Sequence, residues 1–318
     1  MTDSFERNIE YMRISITDRC NLRCNYCMPE DVPYVPHEDI LRYEEILRLC
    51  SVLAGLGIKA VRVTGGEPLV RKGCVEFIRA LKAISGIQRV SLTTNAILLG
   101  SCAKELADIG LHSVNISMDS LLSEVYRKIT GRDAFEKAWY GVERALYYGI
   151  KVKLNCVIIA GINESEILPF AALARKHPIA VRFIELMPTC INASLQGISN
   201  KEVLEIISSK YNLLPDGDLY GFGPAKYFKA EGMKGRIGLI SALSDNFCPD
   251  CNRIRLSAEG YLKLCLHHDH GLDLRGMCRG GASDGEIAQT IKSGIAAKPK
   301  EHTLHTHTDL THMSKIGG

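Results

Sequence analysis

The sequence predicts an α/β fold: an open, partial (β/α)6 barrel of the TIM type over residues 1–195, then a smaller α+β domain over residues 196–318 with a cysteine set of its own. Two observations predict it. Strand and helix signals alternate from residue 12 to residue 186, the rhythm of parallel strands covered by helices. After about Ser194 the rhythm stops, and glycine-rich loops with short strands take over. Six strand–helix units are fewer than the eight of a closed barrel, so one side is expected to stay open.

Each element has its own warrant. Residues 12–17 alternate with period two, and residues 43–56 carry apolar side chains at helical spacing. Residues 60–64 are rich in β-branched side chains, 75–84 read as a helix, and 90–94 read as a strand. A helix over 102–109 and a strand over 113–117 follow, then a strong helix over 135–148. Strands over 152–159 and 181–186 enclose a helix over 167–177, and 201–209 is helical again.

Composition narrows the class. A length of 318 residues suggests about two domains, and 46% hydrophobic residues suffice for a core. A net charge of +3 is too mild to argue for nucleic acid. Residues 1–11 lack the apolar run of a signal peptide, and no stretch is apolar for long enough to span a bilayer. The expected compartment is therefore the cytoplasm, where disulfides are disfavoured and clustered cysteines bind metal. Six of the twelve cysteines, Cys50, Cys74, Cys102, Cys156, Cys190 and Cys278, fall mostly in apolar segments and read as small buried residues.

The other six form two sets. Cys20, Cys24 and Cys27 follow the first strand directly with C-x3-C-x2-C spacing. Iron–sulfur cubanes are usually held by four thiolates, so three leave one iron open to a substrate or cofactor. Gly65, Gly66, Glu67 and Pro68 form a turn at the corresponding end of the second strand, where barrel enzymes carry their catalytic groups. Paired glycines let a backbone approach a ligand closely. Cys248, Cys251 and Cys265 repeat the count of three. Beside them Arg253 and Arg255 share a face if they lie on a strand, and guanidinium forks bind phosphate. Zinc is the alternative ligand for such thiolate pairs.

The first cysteine set and the Gly-Gly-Glu turn resemble the radical S-adenosylmethionine (SAM) superfamily. The second set, its Arg-x-Arg and the Gly-Gly terminus are similar to the MoaA family within it, the GTP 3′,8-cyclases of molybdenum cofactor biosynthesis. The resemblance implies two [4Fe–4S] clusters and SAM as cofactors. A 5′-deoxyadenosyl radical would take the C3′ hydrogen of GTP, and C3′ would then bond to C8, giving 3′,8-cyclo-7,8-dihydro-GTP. It implies SAM contacts at Tyr26, Gly66, Ser117 and Met187, and GTP contacts at Arg13, Arg62, Thr93, Lys153, Arg253 and Arg255. It gives Gly317 and Gly318 a part in turnover. An electron donor such as flavodoxin or ferredoxin, a MoaC-type enzyme downstream and a homodimer belong to the same implication.

Some features depart from that pattern. Thr311 and His312 stand where many relatives carry an arginine. His267, His268, His270, His302, His305 and His307 read as solvated loop and tail residues. Two rival functions keep parts of the pattern: a radical SAM enzyme with an auxiliary cluster acting on a peptide, and a non-catalytic zinc or iron–sulfur module.

Overall fold

The computed structural model describes residues 1–318 except 29–30, 32, 189–193, 218–222, 246, 269 and 303–318. In chain order the elements are β1 (Tyr11–Ser15), α1 (Tyr43–Gly55), β2 (Ala60–Thr64), α2 (Cys74–Ala83), β3 (Arg89–Thr94), α3 (Leu99–Asp108), β4 (Ser113–Ser117), α4 (Ser123–Thr130) and α5 (Phe135–Tyr147). They continue with β5 (Val152–Val157), α6 (Ile167–Lys176), β6 (Ala180–Ile184), α7 (Asn200–Ser208), β7 (Leu214–Pro215), β8 (Lys226–Lys229) and β9 (Arg236–Ile240). The last are β10 (Arg253–Leu256), β11 (Tyr261–Lys263), β12 (Gly271–Asp273), α8 (Leu274–Arg279) and α9 (Asp284–Ala296). Among the described residues no helix is long and apolar enough to cross a membrane.

The chain folds into two compact units. The first comprises Met1–Asn21, Glu30–Thr93 and Cys248–Gly318; the second comprises Leu22–Pro29 and Thr94–Phe247. In the first, the strand order is β12-β11-β10-β1-β2-β3. Strands β10, β1, β2 and β3 run parallel, and β11 and β12 add on antiparallel. In the second, the order is β4-β5-β6-β9-β8-β7, with β4, β5, β6 and β9 parallel and β8 and β7 antiparallel.

Strand alternation divides each sheet chemically. In the first unit Met12, Ile14, Val61, Val63, Val90 and Leu92 form the apolar side and are fully buried. The buried faces of α1 (Ile46, Leu49, Leu53) and α2 (Phe77, Ile78, Leu81) belong to the same core. Each such side chain contributes about 1.5–3 kcal/mol by leaving water. The opposite side of the strands carries Tyr11, Arg13, Arg62, Ser91 and Thr93. In the second unit Val114, Ile116, Leu154, Val181 and Phe183 are fully buried, while Lys153, Asn155 and Arg182 occupy the alternate positions.

Three helices, α4, α8 and α9, were not expected from the sequence. Helix α4 is only eight residues long and mostly polar, with Tyr126, Ile129 and Thr130 as its buried side. Helix α9 starts with a capping box between Ser283 and Glu286, a signal the sequence did contain. The pairing of β10 with β1 joins strands about 240 residues apart, and no local pattern encodes it.

A carboxylate ties the start of α1 to the end of α8. Glu45 caps α1 by accepting from Arg42 N–H at 2.7 Å and bonds the Arg279 guanidinium at 2.8 Å. The Arg279 bond outweighs burial and holds the Glu45 carboxyl down at about 2. A depressed carboxyl stabilises the fold above its unfolded value of 4.5 and loses that contribution as pH falls through about 2. Glu45→Ala should therefore cost about 1–3 kcal/mol at neutral pH. In urea melts the gap between variant and parent should narrow steadily below pH 4; a gap independent of pH would show that charge is not its source.

Candidate functional site

The first cysteine set begins where β1 ends. The Gly66 N–H donates to Thr17 O at 2.7 Å, and the Glu67 N–H donates to Arg19 O at 2.8 Å. A Cβ on Gly66 would stand 2.4 Å from Arg19 O, so only glycine lets the two backbones lie this close. The side chain of Glu67 is buried and accepts from Leu69 N–H at 3.0 Å, and Asp18 accepts from Val35 N–H at 2.6 Å. The segment leading into half-buried Cys20 is thus pinned by backbone bonds on both sides.

Cys24 and Cys27 belong to the second unit, and both are half-buried and outside any disulfide. Cys27 N–H and Met28 N–H both donate to Cys24 O at 3.0 Å, which folds the segment into a tight turn. Two further bonds seat it on the end of α4: Arg23 N–H to Thr130 O and Asn25 N–H to Ile129 O, both 2.9 Å. Gly131 closes α4 in the left-handed region (φ +68°), where a Cβ would come within 3.1 Å of Arg23 O. The Tyr26 hydroxyl donates to Asp119 Oδ2 at 2.7 Å. Burial pushes the Asp119 carboxyl up to about 6, against the bonds from Val157 N–H and Tyr26. Burial, and then the Asp119 charge, keep Tyr26 a phenol.

Ser117 is half-buried at the end of β4, and Met187 is half-buried after β6. The chain before Met187 is fixed by Glu185, which accepts from the N–H groups of Asn200, Leu243 and Ser244 at 2.9–3.2 Å. Thiols on a backbone-fixed turn are the soft donors that iron–sulfur chemistry takes, so these residues fit a cluster. No three described His, Cys, Asp or Glu side chains converge on one point as a single metal ion requires; a cubane asks instead for separate corners.

The second set lies wholly in the first unit. Cys248 is buried, Cys251 and Cys265 are half-buried, and Cys251 N–H donates to Cys248 O at 3.1 Å. Burial pushes the Cys248 thiol up, and the charges of Cys265 and Cys251 push the same way, so the three are close enough to interact. Burial also opposes the Cys251 thiolate, but Arg253 and Lys298 outweigh it and draw its value down. Lys298 is buried and donates to Arg253 O at 3.1 Å and to Leu264 O, joining the two cysteine-bearing segments. Arg7 donates to the carbonyls of Cys248, Pro299 and Lys300 and pairs with Asp3 at 2.6 Å.

Strand register then assembles a row of cations. Arg13 pairs with Arg255 on one side and with Arg62 on the other, and Arg255 pairs with Lys263. Directly paired residues share a sheet face. Arg62, Arg255 and Lys263 are only 8%, 8% and 6% exposed. Burial, then the neighbouring charges of Arg13 and Arg253, push Arg255 well down. Burial works to raise Tyr11, but Arg62, Arg13 and Arg253 pull it below its usual value. Thr93 sits half-buried on the same side of β3. His267 is held neutral, at about 3, by burial and then by His302 and Arg255. A buried row of like charge is costly unless an anion joins it. In the second unit Lys153 and Arg182 are buried, and Arg182 bonds Asn155 Oδ1 at 2.5 Å.

The expected candidates thus fall into three groups. Gly66 and Cys20 adjoin in the first unit; Cys24, Tyr26 and Cys27 form one turn in the second; Arg13, Arg62, Arg253, Arg255 and the second cysteines lie together in the first. Gly317, Gly318, Cys190, His305, His307, Thr311 and His312 lie outside the described residues. Sequence reasoning passed over Asp119, Arg7, Lys263 and Lys298. Asp119 stands two residues after Ser117, and Lys263 two before Cys265, so proximity to a motif was their only signal.

Comparison with known proteins gives the class first. The Radical SAM superfamily model matches residues 14–174, and the Molybdenum Cofactor Synthesis C model matches residues 179–304. The solved structure of Streptococcus suis SuiB bound to S-adenosylmethionine superposes with TM-score 0.63 at 12% identity, covering 93% of this chain and 73% of that one. This likeness shows the fold, a mostly parallel α/β partial barrel with a C-terminal domain, as expected. The chain is a radical SAM protein, and the superfamily implies a [4Fe–4S] cluster and SAM. It is 46% identical to the GTP 3′,8-cyclase of Clostridium perfringens (strain SM101 / Type A) over the full length of both, 47% to that of Moorella thermoacetica and 45% to that of Thermodesulfovibrio yellowstonii, again at full length. The chain belongs to the GTP 3′,8-cyclase family.

The glycine contact yields a direct test. Gly66→Ala should displace the 17–19 segment and weaken SAM binding by about tenfold or more, the loss of one good hydrogen bond to a charged group. Equilibrium binding of SAM to the reconstituted protein reads this, and unchanged affinity would free the turn of that role.

Proposed function

We propose that this chain converts GTP to 3′,8-cyclo-7,8-dihydro-GTP, an early step of molybdenum cofactor biosynthesis, using SAM and two [4Fe–4S] clusters. The observation that carries the reading is the in-register row Arg62–Arg13–Arg255–Lys263 across β2, β1, β10 and β11, of which β10 follows the second cysteine pair. A triphosphate is complementary in charge to this row, and guanidinium forks hold it bidentately.

When bound, the first cluster and SAM supply the radical that removes hydrogen from C3′ of the ribose. The residues do the positioning. Cys20, Cys24 and Cys27 hold the first cluster, and Tyr26, Gly66, Ser117 and Met187 seat SAM. Arg13, Arg62, Arg253 and Arg255, with Thr93 and Lys153, hold GTP. Cys248, Cys251 and Cys265 hold the second cluster beside the base, and the lowered Cys251 thiol supports thiolate ligation there. Gly317 and Gly318 assist turnover. Along the chain, the radical-forming cysteines precede residue 195 and those that hold the second cluster follow it. The enzyme works in the cytoplasm as a homodimer, draws electrons from a flavodoxin or ferredoxin, and passes its product to a MoaC-type enzyme.

A peptide substrate is the second reading, but a buried cationic row suits a polyphosphate better than a neutral backbone. Replacing Arg253 and Arg255 together by alanine should weaken GTP binding at least about a hundredfold, since each charge-assisted bond contributes about 1.5–3 kcal/mol. SAM binding should persist, and 5′-deoxyadenosine release should no longer depend on GTP. GTP consumed at the parent's rate would end the substrate assignment. Anaerobically purified protein should hold about eight irons per chain; stoichiometric zinc without iron would favour a structural module.

A further inference from the structure

The Tyr26–Asp119 pair is more than a contact within the second unit. Asp119 follows β4 and is 4% exposed. Both of its carboxylate oxygens are committed: Oδ1 accepts from Val157 N–H at 2.8 Å, and Oδ2 accepts from the Tyr26 hydroxyl at 2.7 Å. Its backbone carbonyl accepts from Asn163 Nδ2 at 2.6 Å. Asn163, fully buried, in turn accepts from Ile159 N–H at 2.7 Å and donates to Val157 O at 2.9 Å. Asp119 is therefore locked at side chain and main chain to the end of β5.

The turn it touches is also seated on the end of α4. Arg23 and Asn25 bond the last carbonyls of α4, and both contacts precede Tyr26. The Tyr26 hydroxyl ties the turn from its other side to Asp119 in the body of the unit. Tyr26 stands between Cys24 and Cys27, so holding its ring restrains the backbone from which both thiols project. A phenylalanine would fill the same space; only a hydroxyl reaches a buried carboxylate.

We propose that Asp119 is a positioning residue for the first cluster: anchored on β5, it holds Tyr26 and through it the Cys24–Cys27 turn in the arrangement that the cluster and its bound SAM require. The proposal rests on the assignment of Cys20, Cys24 and Cys27 to that cluster, and it makes no use of GTP.

The test uses the full-length, anaerobically reconstituted protein without GTP. The readout is the change that SAM produces in the electron paramagnetic resonance signal of the reduced cluster, followed as a SAM titration. Tyr26→Phe and Asp119→Ala should each move the titration midpoint upward by about tenfold or more. Asp119→Asn should stay within about threefold of the parent, because its amide oxygen can still accept from Val157 and its NH2 can donate to the Tyr26 oxygen. The double variant Tyr26→Phe/Asp119→Ala should fall no further than either single change, because both remove the same bond. The melting temperature of the metal-free proteins separates unfolding from mispositioning. If Asp119→Ala does not fold, Tyr26→Phe and Asp119→Asn decide alone. A parental midpoint in Tyr26→Phe, or single losses that multiply in the double variant, would overturn the proposal. Absence of any SAM-sensitive signal in the parent would overturn it together with the cysteine assignment, whatever the protein does with GTP.

Discussion

The parallel pairing of β10 with β1 is the constraint on which the second site depends. It sets Arg255 beside Arg13, and Arg13 beside Arg62, at the spacing of adjacent strands. Three strands about 4.8 Å apart give a row of cations roughly 10 Å long, the scale of a polyphosphate chain. The same pairing brings Cys248 and Cys251 to the mouth of that row, since both lie just before β10. A one-residue slip of β10 would turn Arg253 and Arg255 to the apolar side and break both features together.

Backbone contacts set the path of the first cysteine segments, and side chains such as Asp119 are added to them. The approach to Cys20 lies against the Gly-Gly turn, and the Cys24–Cys27 turn lies on the capped end of α4. Each contact needs a glycine at the point of closest approach, Gly66 in one unit and Gly131 in the other. Such mounting uses main-chain groups rather than the thiols, and it costs little side-chain entropy on folding.

Electrostatics distinguish the two sets. Around Tyr26 the buried neighbour is a carboxylate, and its charge keeps the phenol protonated. Around the second set the neighbours are cations: Arg253 and Lys298 draw the Cys251 thiol down, and Arg255 helps hold His267 neutral. An environment of positive charge favours thiolates and anions alike, which suits a cluster and a phosphorylated substrate side by side.

The sequence by itself determined the strand–helix alternation, the two cysteine sets and the Gly-Gly turn, because each is a short-range pattern that its own chemistry demands. It also marked Arg253 and Arg255 as neighbours on one strand face. Only the tertiary structure decided that Arg13, Arg62 and Lys263 stand in register with them, that Lys298 and Arg7 brace the second set, and that Asp119 reaches Tyr26 from 93 positions away. Register and side-chain contact between distant segments arise from burial and hydrogen-bond satisfaction over the whole fold, and no local spacing in the chain records them.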